Sequence, residues 1–236
     1  ALVQDVTARG VDAILIAPAD SKGIVPALKQ AQQKNILVIN LDNRVDPPTA
    51  AQAGLNLGAY VGADNEEGGR LAGQAMTEAL SGGGKVAVLE GIRGTDNAEA
   101  RKRGFVSAVQ GKLDVAASDT AEWDTQKAYQ KFQSMLAANP ELKGLFCAND
   151  KMALGAIKAI SEAGKKGSLT VIGYDNIPDV RPYLQSGEMY ATIEQHPDLM
   201  GKYGVRAAVG ILGGSVAKGK EFLVPLDVIR GGSAQK

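Results

Sequence analysis

One recurring pattern limits what this chain can fold into. A short apolar run ends on polar side chains, and helical spacing follows at once. It is clearest at Leu145-Phe146-Cys147-Ala148-Asn149-Asp150, which runs into Lys151-Met152-Ala153-Leu154-Gly155. The first part reads as a buried strand. Apolar residues at Met152, Ala153, Ala156, Ile157 and Ile160 then predict a helix over 151–163, with Asp150 at its N-cap and Asn149 left at the strand's carboxyl end. The design repeats three times. Val11-Asp12-Ala13-Ile14-Leu15-Ile16 leads to Ala17-Pro18-Ala19-Asp20, Ile36-Leu37-Val38-Ile39-Asn40-Leu41 to Asp42-Asn43-Arg44, and Leu169-Thr170-Val171-Ile172-Gly173-Tyr174 to Asp175-Asn176. Strand, polar terminus and helix in alternation make a doubly wound parallel α/β sheet, whose ligands bind at the carboxyl ends of the strands. Each Asp or Asn taken alone can be read as a helix cap. Four of them at one edge point to a polar site.

The rest of the chain continues the alternation. Residues 1–8 read as a helix closed by Gly10. Helices are predicted over 24–34, 66–80, 97–110, 125–138, 179–185 and 197–212, with Pro197 suited to a first turn. Strands are predicted at 60–63, 86–89, 113–117 and 190–193, and a last extended segment at 222–229. After Pro47-Pro48 the pattern breaks and a loop is expected. Residues 65–194 hold five strands, enough for one lobe. The expected organisation is an N-terminal lobe from 1–63 and 196–220 and a C-terminal lobe from 65–194, with 221–236 a terminal strand near the hinge.

Composition removes several function classes. Lys plus Arg equals Asp plus Glu, 26 of each, so no basic surplus favours nucleic acid or an anionic membrane. No apolar run is long enough to span a bilayer, and no signal peptide is present in the chain. Cys147, the one cysteine, cannot form an internal disulfide and reads as a buried thiol. His196 is the one histidine, so a Ser-His-Asp apparatus would have to be built on it. Its setting between Gln195 and Pro197 at a lobe crossing favours a structural role. One His and one Cys without ligand spacing give no metal site, and no cofactor is called for.

Four features can carry chemistry. Gly91-Ile92-Arg93-Gly94-Thr95-Asp96-Asn97 joins a strand to the helix of Arg101, and its small residues let a ligand approach the backbone. It lacks the Gly-Lys-Ser/Thr ending of a phosphate loop. Leu80-Ser81-Gly82-Gly83-Gly84 resembles a transporter-ATPase signature only superficially, without a Walker lysine. Asp42 and Asp175 fit either an acid/base pair or acceptors of sugar hydroxyls. With no nucleophile or metal, the second reading is preferred and an enzyme is not expected. Trp123, the sole tryptophan, is either core or a flat face for a sugar ring, and its neighbours Glu122 and Asp124 tilt it toward a cleft.

With these residues assembled, the chain resembles the ribose-type periplasmic sugar-binding proteins of bacterial ABC importers. The motifs are Ala17-Pro18-Ala19-Asp20-Ser21, Asn40-Leu41-Asp42-Asn43-Arg44, Val61-Gly62-Ala63-Asp64-Asn65 with Gly68-Gly69, and Gly91-Ile92-Arg93-Gly94-Thr95. They continue in Ala148-Asn149-Asp150-Lys151-Met152-Ala153-Leu154-Gly155, Gly173-Tyr174-Asp175, and Thr192-Ile193-Glu194-Gln195-His196-Pro197. The resemblance implies two flavodoxin-like lobes joined by a hinge that close on a ligand. The first lobe is expected to lack its opening strand–helix–strand unit and to be the less stable. Asp42 would grip ring hydroxyls from the first lobe. Asn149, Asp175 and Gln195 would hold them from the second lobe and the hinge, and Trp123 would stack on the ring. Asn43, Arg44, Asn97, Glu99 and Arg101 complete the implied ligand-binding set.

The chain departs from the ribose pattern at three places. Ala17 stands where ribose binders have Asn. Asn43 stands where they have Arg, with Arg44 one place later. Glu99 falls at the ligand-arginine position, with Arg101 beyond it. The implied ligand is therefore a monosaccharide or polyol that need not be ribose. The implied partner is the membrane permease of an ABC importer, with no nucleic acid and no direct membrane insertion. The implied location is the periplasm, or the cell surface as a lipid-anchored protein in a Gram-positive source. The rival reading is the sugar-sensing effector domain of a LacI-type repressor.

Overall fold

Every apolar run named above becomes a strand in the computed structural model, which describes residues 2–231. The chain divides into two units, one formed by Ala1–Asp64 with His196–Pro225 and the other by Asn65–Gln195 with Leu226–Lys236. It passes from one to the other after Asp64, after Gln195 and after Pro225.

In the first unit, strands β1 (Ala13–Ile16), β2 (Leu37–Leu41), β3 (Ala59–Gly62) and β9 (Lys220–Leu223) form a sheet in that order, with every pair parallel. Helices α1 (Leu2–Ala8) and α2 (Val25–Gln33) pack together, and Val25, Leu28 and Ala31 of α2 share a core with Ile14, Ile36 and Val38. Helix α9 (Pro197–Leu212) lies against β1, β2 and β3. It comes close at Gly204, where a Cβ would stand 2.7 Å from a Leu41 methyl. The loop expected after Pro47 is instead a short helix, α3 (Pro47–Gln52). Asp46 caps it through the Thr49 amide at 2.9 Å, and the two prolines fill first-turn positions where an N–H has no intrahelical partner.

In the second unit, the sheet runs β10 (Asp227–Arg230), β8 (Ala191–Glu194), β7 (Thr170–Tyr174), β6 (Leu142–Cys147), β4 (Lys85–Glu90), β5 (Asp114–Thr120). Only β10 is antiparallel to its neighbour. The extended segment predicted at 222–229 thus divides at Val224-Pro225-Leu226 into two strands belonging to different sheets. Pro225 has no N–H to offer a ladder, which suits it to the break. Helices α4 (Asn65–Ala79) and α5 (Asp96–Val109) pack closely, and α6 (Thr125–Ala138) packs on α7 (Asp150–Glu162). Gly104 has the Glu66 carbonyl where a Cβ would be, so the α4–α5 approach needs glycine there. Phe105 and Phe146 stack at 4.5 Å within the core. A 3-10 turn at Pro178–Val180 leads into α8 (Arg181–Ser186).

Candidate functional site

Because β6, β7 and β8 are parallel neighbours, the residues after each emerge at one edge of the second unit's sheet. Asn149, Asp175 and Gln195 stand there. Asp175 Oδ1 accepts a hydrogen bond from Gln195 Nε2 at 2.7 Å and lies 3.5 Å from Arg101 Nη1. Arg101 reaches the group from α5 and is only 3% exposed. Its Nε donates to Asn65 Oδ1 at 2.8 Å, its Nη1 to the Ala148 carbonyl at 2.8 Å, and its Nη2 to Gln195 Oε1 at 3.2 Å. The guanidinium carbon lies over the Tyr174 ring, 3.6 Å from its centroid, and 5.7 Å from that of Trp123. One buried cation thus ties together the ends of β6, β7 and β8, a use that suits the rigid fork of arginine.

Trp123 is half-buried against the core, with its indole over Gly91, whose missing side chain makes room for it. Part of the ring is core and part is exposed. Asn149, not Asp150, is the N-cap of α7: its Oδ1 accepts from the Met152 amide at 2.9 Å. The expected cap moves back one residue because Asn149 is the extended residue and Asp150 already belongs to the helix. The Asn149 amide nitrogen remains available to a ligand.

Two residues of the implied set stand apart from this cluster. Glu99 accepts from the Gly94 amide at 3.0 Å and so closes its own loop, while Asn97 bonds the adjoining Ala98 amide. Both are occupied locally at the start of α5.

In the first unit, Asp42 follows β2. Its Oδ1 is buried with no hydrogen-bond partner among the described residues. A buried carboxylate oxygen left this way costs free energy unless something binds it. Its two sequence neighbours do structural work instead. Asn43 is buried and bridges the loops after β1 and β2, donating to the Pro18 carbonyl at 2.9 Å and accepting from Ser21 Oγ at 3.4 Å. Arg44 lies over the Tyr60 ring at 3.7 Å and forks onto Glu221 of β9.

Several residues named above, or next to them, hold unusual backbone conformations, as does Asn35 after α2, at 62°. Asp42, Glu122, Trp123, Asp175, Asn176 and His196 all have positive φ, at 55°, 54°, 64°, 111°, 53° and 50°. Outside glycine such conformations are strained and cluster where side chains must be aimed. Sequence reasoning missed Tyr174 and Asn65 as partners of Arg101. Of the two residues the resemblance offered near the ligand-arginine position, Glu99 stays in its own loop and Arg101 reaches Asp175. A signal for Arg101 was present: it falls three residues after Ala98 and four before Phe105, so α5 carries it on its buried face. Among the described residues, no group of three or more His, Cys, Asp or Glu side chains could hold a metal ion. No helix there is long and apolar enough to cross a membrane.

Comparison with known proteins identifies the fold and the family. Residues 1–215 match the family described as Periplasmic binding protein domain. The D-ribose/D-allose-binding protein of Pseudomonas aeruginosa is 37% identical over 214 residues, which cover 90% of this chain and 67% of that protein. The ribose import binding protein of Escherichia coli is 38% identical over 219 residues, 92% of this chain and 71% of that one. A crystal structure of an ABC transporter periplasmic solute binding protein from Actinobacillus succinogenes, with bound D-allose, superposes with a TM-score of 0.92 at 38% identity, covering 98% of this chain and 82% of that one. The doubly wound units, the polar residues at the strand ends and these matches have one common explanation: the chain belongs to the periplasmic binding protein family.

Proposed function

We propose that this chain is the solute-binding receptor of an ABC importer and captures a monosaccharide or a related polyol. The observation that carries this is the Arg101–Asp175–Gln195 cluster at one strand edge, with Trp123 beside it. Paired planar groups that both donate and accept, next to an aromatic face, suit a ring whose edge is all hydroxyls and whose face is C–H. The relatives named above bind ribose and allose. The changes at Ala17 and Asn43 leave the sugar open: it need not be ribose. Asp42 supplies a second group: its buried Oδ1 would accept a ligand hydroxyl. Asn149 would donate through its amide nitrogen.

Micromolar capture corresponds to about −8 kcal/mol. A few hydrogen bonds to charged groups, at about 1.5–3 kcal/mol each, supply that after ordering costs. The relatives are importer receptors, which favours this role over the effector domain of a LacI-type repressor and over an enzyme. We place the receptor outside the cytoplasmic membrane, in the periplasm or at the cell surface, and a permease of the importer as its partner.

Titration of Trp123 fluorescence with a panel of pentoses, hexoses and polyols tests the proposal. A saturable change with one of them, and no product formed, is the expected result. Silence across the panel would count against sugar capture.

A further inference from the structure

Trp123 stands in a turn that its own residue types do not favour. Residues 121–124 are closed by the Asp124 amide, which donates to the Ala121 carbonyl at 2.9 Å. The two central residues, Glu122 and Trp123, have φ of 54° and 64°. Turns with both central residues at positive φ are normally built from Gly, Asn and Asp, since other side chains crowd the backbone there. Glu122 and Trp123 hold that conformation only because surrounding bonds impose it.

Those bonds converge on Thr120, the last residue of β5. Thr120 lies opposite Glu90 of β4 in the parallel register, which sets it beside the loop that begins at Gly91. Its Oγ1 donates to the Gly91 carbonyl at 2.5 Å and accepts from the Glu122 amide at 3.1 Å. One hydroxyl thus ties the turn to the backbone of Gly91. Gly91 is also the seat of the indole: a Cβ there would collide with Cζ2 and Cη2 of Trp123. The Ala121 amide adds a bond to the Glu90 carbonyl at 3.0 Å. The Glu122–Lys127 ion pair contributes little, because both side chains are about half exposed.

We propose that Thr120 is the positioning residue for the aromatic face of the site: its hydroxyl holds the Glu122–Trp123 turn, seats the indole on Gly91, and so fixes the surface on which a sugar ring packs. This rests on the receptor reading above. Thr120→Val keeps the branched shape that suits a strand and removes both hydrogen bonds, while Thr120→Ser keeps the hydroxyl. The first test needs no ligand. Trp123 emission should move to longer wavelength in Thr120→Val, with stronger quenching by acrylamide, and should match the wild type in Thr120→Ser. Emission in Thr120→Val like the wild type, or a shift shared by Thr120→Ser, would overturn the proposal. Thr120→Ala is measured alongside. Loss of native circular dichroism in both Thr120→Val and Thr120→Ala would make the hydroxyl a requirement of the fold, and that too overturns it.

The second test is calorimetric titration with the sugar that gives the Trp123 response. Affinity should weaken by about tenfold in Thr120→Val, or about 1.4 kcal/mol, and recover in Thr120→Ser. In a Trp123→Ala background, adding Thr120→Val should change affinity by less than about twofold, because a residue that acts through the indole has nothing left to position. Unchanged affinity in Thr120→Val, or a further tenfold loss in the Trp123→Ala background, would overturn the proposal. Should no sugar bind any of these proteins, the receptor reading fails, and the ligand-free emission alone decides whether Thr120 sets the indole.

Discussion

The two units handle their polar side chains in opposite ways. In the second, Asp175, Gln195, Asn65 and the Ala148 carbonyl are already satisfied by one buried arginine, and the geometry is set before any ligand arrives. In the first, Asn43 and Arg44 are spent on holding loops and an edge strand, while Asp42 keeps a buried oxygen without a partner. Preorganisation reduces the ordering cost of binding, whereas an unsatisfied acceptor gives the ligand a hydrogen bond with less to displace. One family fold therefore holds polar side chains in two ways, and the same substitution should act differently in each.

The largest effect should come from breaking the second unit's centre. Arg101→Ala takes the cation from beside Asp175 and removes the donor shared by Asn65, Gln195 and the Ala148 carbonyl. Removing one partner of a buried pair costs about 3–5 kcal/mol, so denaturant unfolding should show that loss together with loss of sugar binding. If stability is unchanged, the cluster is not preorganised and the contrast between the units disappears.

Asp175→Ala is the next test. It should weaken sugar binding by roughly a hundredfold, about 3 kcal/mol, for two hydroxyl bonds lost to a charged acceptor. Circular dichroism should remain native, because Arg101 retains its bonds to Asn65 and Ala148. Wild-type affinity in a calorimetric titration would remove Asp175 from the site.

A pH test concerns a buried carboxylate of the same unit. Burial alone would raise Glu90, but hydrogen bonds from Arg93, Lys102 and Ser118 outweigh it and hold the group at about 2, against a usual value of 4.5. A lowered carboxylate contributes stability that is present above its unfolded value and lost as pH falls toward its folded one. The window therefore runs from about pH 4.5 down to about 2, with up to about 3 kcal/mol at stake. Melting temperatures of Glu90→Gln and the wild type should converge as pH falls through that window. A constant gap would mean that the charge of Glu90 carries no stability.

The smallest effect on stability belongs to the first unit. Asp42→Asn keeps a side chain that tolerates the positive φ there. No protein bond to the buried Oδ1 is lost, so the melting temperature should hold while affinity drops by about 1.5–3 kcal/mol. A marked drop in melting temperature would show that Asp42 is structural like its neighbour Asn43.

Much of the fold was legible in residue spacing. Helices α6 and α9 start and stop where the apolar period and the flanking Pro140 and Pro197 indicate. The runs at 36–41 and 169–174 are strands because their apolar stretches match a strand's length and end on polar residues. The tail was not legible. An extended segment declares itself by side-chain type, but which sheet it joins depends on hydrogen bonds to residues far away in sequence. β9 and β10 accordingly part company at Pro225, one parallel to β3 and the other antiparallel to β8. Asp46 shows the local version of the problem: Pro47-Pro48 reads as a break until the aspartate before it is recognised as a cap.

For the site, the sequence by itself determined that Asp42, Asn149, Asp175 and Gln195 stand at strand ends, because alternation of strand and helix fixes which end of a parallel strand carries the ligand edge. Only the tertiary structure decided what each does there. Asn43 and Arg44 follow Asp42 directly, yet Asn43 turns inward to bridge two loops and Arg44 lies on Tyr60 and pairs with Glu221 of β9. Arg101 lies 74 positions before Asp175 in the numbering and still forms its ion pair. A side chain's role depends on which donors and acceptors are within about 3 Å of it, and that distance is set by packing between helices and strands rather than by order along the chain.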